Sequence, residues 1–301
     1  MNVWLTGCNG MLAQALCRQF RAARIDYVGT DIDVDLTSER QVREYCQRSA
    51  FTHIVNAAAY TRVDDAETDF DKAVAVNGLA VRHLVDAAEQ SGAAFVHFST
   101  DYVFSGIASE PYLEDEATAP ASAYGKSKLE GEKWALAAME RSKSAVYVIR
   151  TSWLFGSGGN NFVRTILKAM MEREELRVVD DQRGRPTYTE DLAEAALALS
   201  GLGGNSAASP GFYHFANSGA VSWYEFTLAI AQAARSKNLA LKANKIVPVS
   251  SAEYVRPAPR PSYSVLDTRK LERALGVVPR DFRLTVSEYL DLLIAQFGAA
   301  L

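Results

Sequence analysis

The chain has 301 residues, and 32 Lys plus Arg against 36 Asp plus Glu leave a net charge of −4. That length allows one large α/β domain or two smaller ones with ample core, and so mild an acidity excludes nucleic-acid binding through a general positive field. No apolar run approaches the roughly 18–20 residues of a membrane span, so no membrane partner is expected. The opening MNVWLTG has no basic stretch of a signal peptide, and Cys8, Cys17 and Cys46 read as reduced thiols rather than a disulfide frame. A cytoplasmic protein is expected.

Residues 3–6 read as a buried strand, and residues 11–22 have helical spacing through Leu12, Leu16 and Phe20. Strands are expected at 27–30, 53–58, 94–99 and 144–150, with helices at 41–48, 71–91 and 124–139 between them. Strands spaced by helices in this way argue for right-handed βαβ units in a parallel sheet. The second half is less regular. Residues 156–161 (GSGGNN) form a flexible connector, 201–211 a loop rich in Gly, Ser and Ala, and 256–261 (RPAPRP) a stiff extended stretch. Helices are expected there at 162–173, 189–200, 223–236 and 286–297.

Gly7-Cys-Asn9-Gly10-Met11-Leu12-Ala13 joins the first strand to the first helix. Glycines at 7 and 10 permit a tight turn and let a diphosphate approach backbone N–H groups at the helix N-terminus. Asp31 ends the second strand about 20 residues on, where a carboxylate can accept hydrogen bonds from an adenosine ribose. Dinucleotide binding follows from the combination; a lone glycine pattern would be weak.

Tyr124-x-x-x-Lys128 puts a phenol and an ammonium one turn apart on a helix face, while Ser99-Thr100-Asp101 ends the fourth strand. A cation beside the phenol is expected to lower its pKa, so that Tyr124 can protonate a ketone oxygen held by the Thr100 hydroxyl. The bland alternative is a solvated helix carrying Tyr and Lys by chance. The four histidines show no metal-like grouping, and no serine-nucleophile elbow is present.

On the glycine loop, VNAAAYTRVD (55–64), STDYVF (99–104), Tyr124-x-x-x-Lys128, RTSWLF (150–155), GNNF (159–162), DDQRGRPT (180–187) and RPSYSVL (260–266), the chain resembles the extended short-chain dehydrogenase/reductase family. These motifs run in family order across essentially the whole chain. The resemblance implies an α/β fold, a Rossmann-type doubly wound parallel sheet with a smaller, interwoven α+β substrate lobe. Residues 1–155 would bind NAD(P), with segments near 181–202 returning to them, and 156–301 would form the substrate lobe.

The implied activity is reduction of the 4-keto group of dTDP-4-dehydro-L-rhamnose with NADPH, NADH remaining open because Asp31 would repel a 2′-phosphate. Thr100, Tyr124 and Lys128 would be catalytic. Gly7, Asn9, Gly10, Met11, Leu12, Asp31, Ala57, Ala58, Ala59 and Asn77, with Tyr124 and Lys128, would hold the dinucleotide. Thr100, Asp101, Tyr102, Trp153, Arg185 and Arg260 would face the nucleotide sugar. Some members are dimers with an interfacial magnesium, but here only Glu190 stands at such a position, beside Ala15 and Leu292, so no metal is expected and either a monomer or a homodimer is allowed. Two rivals stay open: another nucleotide-sugar reductase or epimerase of the family, and a non-catalytic NADP-binding regulatory subunit.

Overall fold

The computed structural model describes residues 1–141, 143–204 and 207–298. Its first half alternates β1 (Asn2–Thr6), α1 (Met11–Ala22), β2 (Asp26–Thr30), α2 (Glu39–Cys46), β3 (His53–Asn56), α3 (Phe70–Val74), α4 (Ala80–Ser91), β4 (Ala94–Thr100), α5 (Ala123–Arg141) and β5 (Val146–Thr151). The second half adds β6 (Leu154–Phe155), α6 (Phe162–Glu172), β7 (Glu175–Val179), β8 (Arg183–Gly184), β9 (Thr187–Tyr188), α7 (Thr189–Ser200) and β10 (Gly211–His214). After these come β11 (Val221–Ser222), α8 (Trp223–Ser236), β12 (Lys245–Val249), α9 (Arg269–Leu275) and α10 (Phe282–Phe297).

Six of the described strands make one parallel sheet in the order β10-β5-β4-β3-β1-β2. The chain runs outward from β1 to β2 and then returns to place β3 on the other side of β1. That reversal opens a crevice at the C-terminal ends of β1 and β3. Successive strand residues face opposite sides of the sheet. Val3 and Leu5 therefore pack with Leu12, Leu16 and Leu192 on the face covered by α1 and α7, while Trp4 and Ile54 pack with Val42, Leu84 and Ala135 on the face covered by α2, α4 and α5. Each large side chain buried in this way is worth ~1.5–3 kcal/mol. A third core, with Phe155, Leu167, Phe226, Ile230, Val286 and Leu290, joins α6, α8 and α10 in the second lobe.

Helix boundaries follow local capping. Helix α2 starts two residues before the expected 41–48 span because Ser38 accepts from the Gln41 N–H. Helix α10 starts at Phe282 rather than 286, where Asp281 accepts from the Arg283 N–H. The expected helix over 71–91 is interrupted by a π-helical turn at Ala75–Leu79. This wider turn carries Asn77, whose amide is clamped to the Tyr60 N–H and C=O and to the Ser127 hydroxyl. Its carbonyl lies so near α5 that a Cβ on Gly131 would stand 2.3 Å away. Helix α9 and the parallel pair β7–β12 are absent from the sequence reading, and within the 201–211 loop residues 205 and 206 lie outside the described residues.

Candidate active site

Four strand ends build the site. The turn after β1 closes with Gly10 N–H donating to the Gly7 carbonyl at 2.9 Å and Cys8 N–H to the Thr30 carbonyl at 3.0 Å. Gly7 has φ +67°, and a Cβ there would stand 2.6 Å from the Ala58 Cα, so both conformation and space require glycine. At Gly10, the N-cap of α1, no described side chain caps the helix, and its first turn carries no acid. The first-turn N–H groups therefore remain available to an anion, the arrangement a dinucleotide diphosphate needs. Asp31, just past β2, accepts from the Asn9 N–H at 3.1 Å, which ties the turn to the expected ribose position.

These walls and the ends of β3, β4 and β5 enclose a cavity of about 610 Å³, lined by Asn9, Gly10, Met11, Leu12, Ala57, Ala58, Ala59, Thr100, Asp101, Tyr102, Tyr124, Lys128 and Trp153 among others. Thr100, at the tip of β4, donates its hydroxyl to Asp101 Oδ1 at 3.0 Å. Asp101 is buried, and burial pushes its pKa up to about 6 against the hydrogen bonds of Ser264 and Thr100. Tyr124 sits edge-on to Tyr102 with ring centroids 5.6 Å apart. Lys128, one turn further along α5, is buried and donates to the Phe98 carbonyl at 2.7 Å.

The electrostatics differ from the sequence expectation. Tyr124 is not pulled down by a neighbouring cation. Burial pushes its phenol up to about 12, opposed by the hydrogen-bonded side chain of Thr100 and reinforced by Asp101. Lys128 is instead the shifted base, brought down to about 8 by burial, with Glu132 pulling the other way. The reason is desolvation: both groups lie under the sheet ends, and the lysine is engaged by a carbonyl rather than by the phenol.

Several residues expected at the ligands do not line this cavity. Asn77 is clamped within the π-helical turn as described and does not line the cavity. Arg185 is also absent from the lining, because its guanidinium donates to the Asn217 carbonyl at 2.9 Å, the Leu266 carbonyl at 3.0 Å and the Thr268 hydroxyl at 3.3 Å. It ties its own segment to those at Asn217 and at Leu266 and Thr268. Asp31 stands at the rim, outside the cavity lining.

Arg260 reaches a second cavity of about 420 Å³ that shares Tyr102 with the first. It donates to Asp64 at 2.9 Å, while its buried Nη1 has no hydrogen-bond partner among the described residues. Arg177, Arg256, Trp223, Phe162 and Tyr254 complete that wall. The Trp153 and Trp223 rings stack at 3.5 Å and 7°, Trp153 holding a left-handed φ of +47° in the first cavity and Trp223 lining the second. A Cβ on Gly184 would stand 2.5 Å from the Trp153 ring, so glycine there makes room for the indole. The sequence reading missed Trp223, Arg177 and Arg256; the RPAPRP stretch was the one signal near them.

The family described as RmlD substrate binding domain matches residues 1–294. This chain belongs to that family. Among RmlD relatives, a spore coat polysaccharide biosynthesis protein of Bacillus subtilis (strain 168) is 41% identical over 96% of each chain. The dTDP-4-dehydrorhamnose reductase of Escherichia coli (strain K12) is 36% identical over 97% of this chain and 98% of its own. The crystal structure of a dTDP-4-dehydrorhamnose reductase from Bacillus anthracis in complex with NADP superposes with a TM-score of 0.86 at 34% identity, covering 97% and 99% of the two chains. The RmlD fold is α/β with a central parallel sheet, as the resemblance implied. Glu190 is engaged by Arg18, and among the described residues no three His, Cys, Asp or Glu side chains gather as a metal group. No described helix is long and apolar enough to cross a membrane.

Proposed function

We propose that this chain reduces the 4-keto group of dTDP-4-dehydro-L-rhamnose to give dTDP-L-rhamnose, using NADPH first and NADH second. The observation that carries this reading is the convergence of Thr100, Tyr124 and Lys128 in one cavity beneath the uncapped N-terminus of α1. Relatives named as dTDP-4-dehydrorhamnose reductases, one of them in complex with NADP, supply the substrate and the cofactor.

When bound, the dinucleotide supplies the hydride for the sugar C4. Gly7, Gly10 and the first turn of α1 hold its diphosphate, and Asp31 its adenosine ribose. Tyr124 gives its proton to the ketone oxygen, and a phenol held at about 12 is fully protonated at neutral pH, the form that reduction requires. Thr100 orients that oxygen. Lys128, as an ammonium, binds the nicotinamide ribose and stabilises the phenolate once the proton has left.

The second cavity takes the nucleotide diphosphate. The guanidiniums of Arg260, Arg177 and Arg256 line it as forks for phosphate oxygens, and the Trp153–Trp223 stack separates the sugar from the base. In this reading residues 1–155, with segments near 181–202 and strand β10 returning to their sheet, hold the cofactor, the remainder of 156–301 holds the nucleotide sugar, and the three unbridged cysteines support a cytoplasmic setting.

Purified protein given dTDP-4-dehydrorhamnose and NADPH should oxidise the cofactor, and absence of turnover with NADPH and NADH alike sinks the proposal. Tyr124→Phe should lose turnover while keeping dinucleotide affinity; an active variant means that the proton comes from elsewhere.

A further inference from the structure

His97 is fully buried, takes no part in the reaction above, and stands mid-way along a hydrogen-bonded row beneath the cavity. On one side Asn56 Nδ2 lies 3.0 Å from His97 Nδ1. The orientation of that amide is fixed, because its oxygen accepts from the Thr6 hydroxyl at 2.7 Å and from the Ala58 N–H at 3.1 Å, and a backbone N–H can only donate. Asn56 Nδ2 therefore donates, Nδ1 is the bare ring nitrogen, and a neutral ring carries its proton on Nε2. Burial, with Lys128 adding to it, holds the imidazole pKa well below its ordinary range and keeps the ring neutral.

On the other side, Nε2 lies 3.5 Å from Lys128 Nζ, whose second partner is the Phe98 carbonyl at 2.7 Å. An N–H aimed at an ammonium is a donor facing a donor, whereas a neutral amine presents a lone pair to it. Resting on the role given to Lys128 above, we propose that His97, locked by Thr6 and Asn56 into the Nε2–H tautomer, is a positioning residue whose N–H opposes the Lys128 ammonium and makes its proton easier to release. Of the titratable groups around the amine, Glu132 on the same helix favours the ammonium but is itself paired with Arg150, and Tyr124 one turn earlier stays protonated. Burial opposes Glu132, and from β4 the His97 N–H is aimed at the amine on the same side as that burial. Because Ala58 lines the cavity, the row also links the cofactor wall to the lysine.

The test is NMR on the intact chain, with ¹⁵N-labelled histidine to read the His97 tautomer and ¹³C-labelled lysine to titrate Lys128. The wild type should show a bare Nδ1 and a protonated Nε2. In His97→Gln the side-chain amide can turn its oxygen toward Nζ, so the Lys128 midpoint should rise by about one pH unit, with the alkaline limb of kcat/KM moving alongside it. His97→Leu, which removes the N–H and supplies no acceptor, should raise it by less. A protonated Nδ1 in the wild type overturns the inference, as does a Lys128 midpoint that moves by less than about 0.3 unit in both variants. These resonances are read without turnover, so the expected shifts in a chain that reduces no 4-keto sugar would count against the activity alone.

Discussion

Replacing Glu132 by Gln tests the electrostatic frame under the site. Glu132 and Arg150 are 3% and 5% exposed and join through two bonds of 2.9 and 2.8 Å. Arg150 also donates to the Glu114 carbonyl at 3.0 Å and lies between the Phe104 and Phe212 rings. Gln keeps the volume and one acceptor oxygen, but turns an N–H toward the other guanidinium N–H and leaves a buried cation uncompensated. Removing one partner of such a pair costs ~3–5 kcal/mol, and the retained bond offsets about 1 kcal/mol. A loss of about 3 kcal/mol in urea unfolding is therefore expected. Adding Arg150→Met should recover much of it, since both charges are then gone. Glu132 also favours the Lys128 ammonium, so Glu132→Gln should move the alkaline limb of kcat/KM to lower pH. A stability loss under about 1 kcal/mol, or a double variant no more stable than the single one, refutes the reasoning.

In the wild type, kcat/KM for reduction should fall as pH rises through about 8, because Lys128 loses its proton there while Tyr124, held up to about 12, keeps its own; a profile flat to pH 10 contradicts this. Gly125→Ala would put a Cβ 2.2 Å from the Tyr102 carbonyl and push the start of α5 away, displacing the adjacent Tyr124. Its kcat should fall on the order of 10²-fold in steady-state assays, and unchanged kcat means that α5 tolerates the shift. Arg185→Met should cost ~1–3 kcal/mol in chemical denaturation by stranding the Asn217 and Leu266 carbonyls, while leaving KM for the nucleotide sugar unchanged; a raised KM returns Arg185 to the ligand.

Much of the site was legible because its parts are local. The Gly7 turn needs positive φ within a strand–turn–helix unit, and Tyr124 and Lys128 share a helix face through a four-residue step, so spacing alone reveals both. The end of β4 delivers Thr100 for the same reason. Spacing carries no information on which segments pack together from far along the chain. Arg185 and Arg260 both precede proline or follow it in similar Arg-Pro contexts, yet one brackets backbone carbonyls and the other pairs with Asp64 on the wall of a cavity.

What the amino-acid sequence determined by itself was the alternating sheet, the glycine turn after β1 and the placing of Thr100, Tyr124 and Lys128 at one cavity, all set by short-range periodicity and backbone sterics. Only the tertiary structure decided how those groups are charged. A lysine one turn from a phenol suggested a lowered phenol pKa. Burial under the sheet raised the phenol and lowered the lysine instead, because desolvation depends on everything packed around a group.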